Sequence, residues 1–168
     1  MVENVENAVI REASEIEEES KVLAEAHFQS AGKWSKINLW LGIPTTVLAG
    51  ITGVTALSEI IPDADTRGVV SGVLAIIVAA FTAISTFLDS SGRAAAHQAA
   101  ASQYRQLRRR ISLLKDVDFP LRNMDADHVT NTLVKELRTI ASQISEVDQA
   151  SPQISRSLYQ NVLNRHRE

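Results

Sequence analysis

The chain has 168 residues, no cysteine and a formal net charge of −3. That is room for one domain; it excludes disulfides and thiolate metal sites and argues against general nucleic-acid binding. The apolar residues are concentrated in the middle, where two runs carry no charge, Ile37–Ser58 and Gly68–Leu88.

Residues 2–36 read as a helix rich in Glu and Ala. Val9, Ala13, Ile16, Ser20, Leu23, His27 and Ala31 recur at steps of three and four, a narrow face that needs a partner helix. Residues 37–58 form the first predicted transmembrane helix, long enough to cross about 30 Å of hydrocarbon. The other reading of such a run, a buried core helix, requires a larger protein around it. A long acidic segment precedes the run, so it does not read as a secretion signal. Trp34 and Trp40 lie near its start, where indole rings favour the interface. Pro44 removes one amide donor and predicts a kink or a helix start.

Residues 59–67, with Pro62, Asp63 and Asp65, make a tight external hairpin loop, and residues 68–88 the second transmembrane helix. Lys33, Lys36 and Arg93 lie on one side of the spans and Arg67 on the other, which places both termini in the cytoplasm. Ser90-Ser91-Gly92 marks a bend. Residues 89–117 then read as a cytoplasmic helix with Ala100, Tyr104, Leu107, Ile111 and Leu114 on one face, ended by Phe119-Pro120. Residues 125–149 form the next helix, capped by Asp125 or Asp127, with Val129, Leu133, Leu137, Ile140, Ile144 and Val147 on its face. Ser151-Pro152 starts a C-terminal helix, 152–167, with Ile154, Leu158, Val162 and Leu163 inward. The fold class is all-α: a single domain over residues 1–168, with a two-helix transmembrane hairpin and a cytoplasmic helical bundle.

If the helices flanking the spans are continuous, residues equally far from the bilayer sit at equal height. Glu15, Glu17, Glu18 and Glu19 before the first span, and Arg105, Arg108, Arg109 and Arg110 after the second, would both stand about 25–33 Å above the membrane. The belts either pair, within a chain or between subunits, or are two solvated charge runs. By the same count His27 and His97 meet on the packing faces, as a hydrogen-bonded seam or a proton-sensitive pair. The four histidines show no ligand spacing, so neither metal nor cofactor is expected.

In the second span Ser71, Ala75, Val78, Thr82, Ser85 and Asp89 make one stripe, and Gly68, Gly72, Ala75 and Ala79 a smaller one. In the first span Thr45, Ala49, Thr52, Ala56 and Glu59 make a comparable polar face, and Gly50 and Gly53 allow tight packing. Two readings stand. Several hairpins assemble with Thr45, Thr52, Glu59, Ser71, Ala75, Val78, Thr82, Ser85 and Asp89 lining a pore, Val78 its constriction. Alternatively, small and hydroxylated residues only hold the two helices together. Two spans cannot enclose a channel, so a pore requires a homo-oligomer.

Two segments, WSKINLWLGIPTTVLAGITG from Trp34 to Gly53 and FLDSSGRAAAHQAAASQYRQLRRRI from Phe87 to Ile111, flank a hairpin. In this order they resemble a bacterial family, the SLATT domain, the SMODS- and SLOG-associating two-transmembrane effector domain; the resemblance covers nearly the whole chain. It implies a prokaryotic defence effector in the inner membrane, acting as a pore or membrane disruptor. It also implies a nucleotide-generating or nucleotide-sensing partner protein, and supplies no catalytic residues. The chain shows no sensor or nucleotidyltransferase segment, so its trigger is expected from elsewhere. No glycine-rich phosphate loop, nucleophile motif or metal spacing suggests an enzyme. The competing expectation is a membrane-anchored scaffold whose bundle recruits a partner. The arginine cluster offers planar forks that fit the phosphates of a nucleotide signal as well as they fit glutamates.

Overall fold

A computed structural model describes residues 2–57, 61–118 and 126–167, with side chains over 7–57, 61–116 and 131–166. Among these residues there is no strand. Five α-helices follow one another: α1 (Val2–Leu57), α2 (Ala64–Leu88), α3 (Ser90–Leu113), α4 (Ala126–Ala150) and α5 (Arg156–Arg167); one π-helical turn, Leu114–Asp118, extends α3. The chain divides into two compact units, residues 1–31 with 95–168, and residues 32–94. The fold is all-α, with a two-helix hairpin and a helical bundle.

The hairpin comprises the second half of α1, all of α2 and the start of α3. α1 runs 56 residues without interruption. The expected restart at Pro44 does not occur. Proline removes a single bond of the ladder, and the turns beside it stay closed. There Thr45 donates its hydroxyl to the Leu41 carbonyl at 2.6 Å and Thr46 to that of Gly42 at 2.9 Å. α2 begins at Ala64, four residues before the expected start at Gly68. Asp63 caps it, accepting the Thr66 amide at 2.8 Å.

The bend after α2 lies at Asp89 rather than at Ser90-Ser91-Gly92. Asp89 sits in the left-handed region, φ 41° and ψ 49°, which aspartate tolerates better than most residues. Its amide closes α2 on the Ser85 carbonyl at 3.2 Å, and its own carbonyl accepts the Arg93 amide at 3.0 Å. Its carboxylate accepts the Gly92 amide at 3.2 Å. A single residue therefore ends one helix and caps the next. A Cβ on Gly92 would collide with that carboxylate, so the cap needs the glycine.

The bundle is a water-type core. Ala13, Leu107, Ile111, Leu137 and Ile140 form one cluster of α1, α3 and α4; Val22, Ala26, Leu158 and Val162 form a second of α1 and α5. The predicted faces of α3 and α4 and that of α1 are the buried ones. α1 buries a wider arc than its weak pattern suggested, because Val22, Ala24, Ala26 and Ser30 are also covered. Small residues let several helices crowd one.

α5 starts at Arg156, not at Pro152. Residues 152–155 lie outside any helix, Ile154 packs against the α5 cluster, and the Ser155 carbonyl accepts the Leu158 and Tyr159 amides at 3.0 and 3.1 Å. Burying Ile154 thus outweighs an early helix start. Phe119-Pro120 and Asp125 lie outside the described residues, as do the side chains of Asp127 and Val129.

Candidate functional site

The hairpin is the candidate site. On α1, Leu41, Thr45, Leu48, Thr52 and Thr55 are half-covered; on α2, Arg67, Ser71, Leu74, Val78, Phe81, Ser85 and Leu88 are. Each set recurs at steps of three and four, a single face of its helix. These faces are the seam of the hairpin. No residue of α2 is buried outright.

The predicted pore stripe is therefore split. Thr45, Thr52, Ser71, Val78 and Ser85 share the seam within one chain, whereas Ala75, Thr82 and Asp89 are exposed. Glu59 lies outside the described residues. The seam hydroxyls are internally satisfied: Thr52 donates to the Leu48 carbonyl at 2.7 Å and Ser71 to the Arg67 carbonyl at 2.9 Å. That suits a medium without water. The glycines expected to give tight packing make no close approach to another helix among the described residues of their own chain. A Cβ at Gly50, Gly53, Gly68 or Gly72 would meet nothing within 4 Å.

α2 thus carries three faces. One is the seam. A second is small and hydroxylated, Gly68, Gly72, Ala75, Ala79, Thr82 and Thr86, all exposed; Thr82 and Thr86 donate to the carbonyls four residues back, both at 2.9 Å. The third is bulky and bare, with Val69, Val73, Ile76 and Phe87 from 52% to 87% exposed. Spacing alone did not separate the first two, because Ser71 and Ala75, or Val78 and Thr82, lie one turn apart yet on opposite sides of the seam's edge. At the other end of the spans Trp34 stacks under the Arg93 guanidinium, 4.9 Å from ring centre to Cζ, and Ser90 donates to the Asn38 side-chain oxygen at 3.1 Å.

The charge belts in the bundle meet at one point. Glu17 pairs with Arg108 at 3.7 Å and with Lys115 at 3.0 Å. Arg110 turns instead to Glu136 of α4 at 2.6 Å, and Glu18 to Lys21 at 3.6 Å. Among the described residues Glu15, Glu19, Arg105 and Arg109 make no ion pair. Arg105 lies 5.0 Å from the Phe28 ring centre, beside a groove of about 480 Å³ that also reaches Lys21 and Arg108. The two belts thus meet through Glu17 and Arg108; they do not pair generally among the described residues, and Arg110 goes to α4 instead.

His27 and His97 do meet, with their Nδ1 atoms 3.0 Å apart in the bundle core. One ring must donate and the other accept, so the two cannot both be protonated at Nδ1. Burial, then the neighbouring His97, holds His27 down to about 4 from an ordinary 6.5, against the raising pull of Asp148; burial also lowers His97. The Tyr104 ring stacks on His27 and its hydroxyl donates to Asp148. Burial, then that hydrogen bond, raises the Tyr104 pKa. Sequence spacing missed the link to Asp148, which joins α3 to the end of α4. Among the described residues no group of three or more His, Asp or Glu could hold a metal ion.

Two helices are long and apolar enough to cross a membrane, and none of the most apolar window of either is buried by the chain. The family model for SMODS and SLOG-associating 2TM effector domain family 4 matches residues 24–162. The chain belongs to this family. The match runs from the middle of α1, through both spans, to α5. No curated protein and no solved structure matches the chain. As a member of this two-transmembrane effector family, it is a membrane-associated effector of defence systems.

Proposed function

We propose that this SLATT-family chain assembles through the small face of α2 into an oligomer that opens a regulated pore, or otherwise breaches the membrane, on a nucleotide-linked signal. The observation that carries the reading is the bare small face: Gly68, Gly72, Ala75, Ala79, Thr82 and Thr86 are exposed, with no partner helix over them among the described residues. Small residues let helix backbones approach closely in lipid, where bulky side chains give no such gain. A lumen built there takes Thr82 and Ala75 from the originally expected stripe, with Asp89 at its mouth. The seam residues Ser71, Val78, Ser85, Thr45 and Thr52 then serve as glue. Both termini face the cytoplasm of a prokaryotic inner membrane, and the action is not enzymatic. The trigger comes from a nucleotide-generating or nucleotide-sensing partner, with Arg105 and Arg109 as its contact.

A second reading has its own support. Arg105, Arg109 and the half-exposed Phe28 form a face suited to a partner protein, which fits a membrane-anchored scaffold. Leakage from dye-loaded liposomes, measured beside mass in detergent, separates the two. A pore gives a defined oligomer that leaks; Gly72→Leu or Ala79→Leu lowers both, and Ile76→Leu on the bulky face changes neither. An oligomer unaffected by Gly72→Leu and Ala79→Leu, or one that stays tight with its partner present, removes the pore reading.

A further inference from the structure

We infer that the outer face of α1, from Lys33 to Pro44, is a binding site for an anionic phospholipid. Lys33, Lys36, Trp40 and Ile43 recur at steps of three and four, on the side of α1 away from the seam. Lys33 and Lys36 are exposed and make no ion pair among the described residues; Trp40 is 80% exposed. Below the lysines, Leu39, Trp40, Ile43 and Pro44 line a groove of about 240 Å³ with no charged or hydrogen-bonding wall other than the indole N–H.

The order of chemistry along this face is that of a phospholipid. Two ammonium groups stand one to two turns from an indole, and an apolar groove follows. One helical turn is about 5.4 Å, so a phosphate at the level of Lys36 lays its acyl chains along Ile43 and Pro44. Lysine stems bend along an apolar surface while the charge stays in the headgroup layer. A soluble anion would satisfy the lysines but leave the groove bare.

The two ends of the hairpin differ in a way that selects charge. At the Trp34 end the unit holds Lys33, Lys36 and Arg93 against Asp89, whose carboxylate is already bonded to the Gly92 amide. Arg93, held over Trp34, keeps its charge at that level. The loop end holds Asp63 and Asp65 against Arg67. An anionic headgroup is attracted at the first end and repelled at the second. A basic residue beside an anionic bilayer surface strengthens attraction about five-fold, so two lysines give a preference of up to about 25-fold.

The site goes beyond the pore proposal and does not depend on it. The full chain with Trp34→Phe, which leaves Trp40 as the remaining indole, is placed in bilayers of phosphatidylcholine mixed with phosphatidylglycerol, one or the other brominated on its chains. Trp40 fluorescence is expected to be quenched several-fold more effectively by the brominated anionic lipid at equal mole fraction. Lys33→Gln with Lys36→Gln should equalise the two lipids, and Lys33→Arg with Lys36→Arg should keep the preference. Equal quenching in the parent, or a preference that survives the double glutamine, would overturn the inference. So would quenching by neither lipid, which would mean that Trp40 does not reach the chains. None of these readings depends on leakage, so the lipid site and the pore proposal fail separately.

Discussion

The bundle and the hairpin use the same aliphatic residues for opposite ends. Among the described residues every buried apolar one, from Ala13 to Val162, belongs to the bundle. In the hairpin the buried side chain among the described residues is Ser90, and Leu57, Val69, Ile76 and Phe87 are between 66% and 89% exposed. In water, a chain gains by removing such surface, at about 25 cal/mol per Å². In lipid there is no such gain, so what matters is that each polar group is satisfied within the helix. The hydroxyls of Thr45, Thr52, Ser71 and Thr82 bonded one turn back meet that demand.

The sharpest way to break this contrast is to remove the same atoms from both regions. Ile140 is fully buried, and Ile140→Ala should cost about 2–5 kcal/mol of stability by lost transfer energy and the cavity left. Ile76 is 71% exposed, and Ile76→Ala should cost within about 0.5 kcal/mol. Denaturant unfolding in a mild detergent measures both. A large cost at Ile76 would show that another copy covers the bulky face, and the lipid-facing assignment there would fall.

Next in size is the pH dependence of the bundle, which the hairpin should lack. His27 is held near 4 when folded and returns to 6.5 when unfolded. The unfolded chain therefore binds the extra proton between these values. The contribution is complete above pH 6.5, falls as the pH drops below it, and is fully lost below about 4. Between about pH 7 and about pH 5 the loss should be roughly 2 kcal/mol. His27→Phe should flatten that part of the profile, read by thermal unfolding at fixed ionic strength. An unchanged slope would mean that the histidine pair is not what titrates.

The elements were legible in the sequence and their surfaces only partly so. Charge-free runs and three-four periodicity located both spans, the buried faces of α3 and α4, and the meeting of His27 with His97, because those signals are local. The division of α2 into three faces was not legible. Ser71, Ala75, Val78 and Thr82 lie within one broad arc, and only the placement of α1 decides which part of the arc is covered. The charge belts illustrate the same limit: height along the helices could be counted, but Arg110 was drawn away by Glu136, whose helix approaches from a distant part of the chain. The starts of α2 and α5 moved because Asp63 could cap earlier and Ile154 had a cluster to join.

A smaller test within the bundle concerns Tyr104. Its ring is fully buried and its hydroxyl reaches Asp148, which is itself exposed. Tyr104→Phe keeps the ring against His27 and loses one hydrogen bond, so about 1 kcal/mol should go. A loss several times larger would mean that the bond to Asp148 also holds the end of α4 in place.

The smallest expected effect lies at the joint of the hairpin, and it separates two roles for one carboxylate. Asp89 ends α2 in the left-handed region and caps α3 through the Gly92 amide. Asp89→Ala loses both the cap and the tolerance for that backbone, at about 1 kcal/mol. Asp89→Asn keeps both, and should cost only a few tenths of that, about 0.3 kcal/mol. If the carboxylate is only a cap, the asparagine variant leaks from liposomes like the parent, with the same preference for cationic over anionic dyes. If Asp89 also stands at the mouth of a pore, stability stays with the parent while the dye preference shifts toward anions, because a ring of negative charge has been removed at constant shape. Stability and selectivity moving apart in this one variant would place the lumen beside α2, while the seam that joins α1 to α2 stays closed.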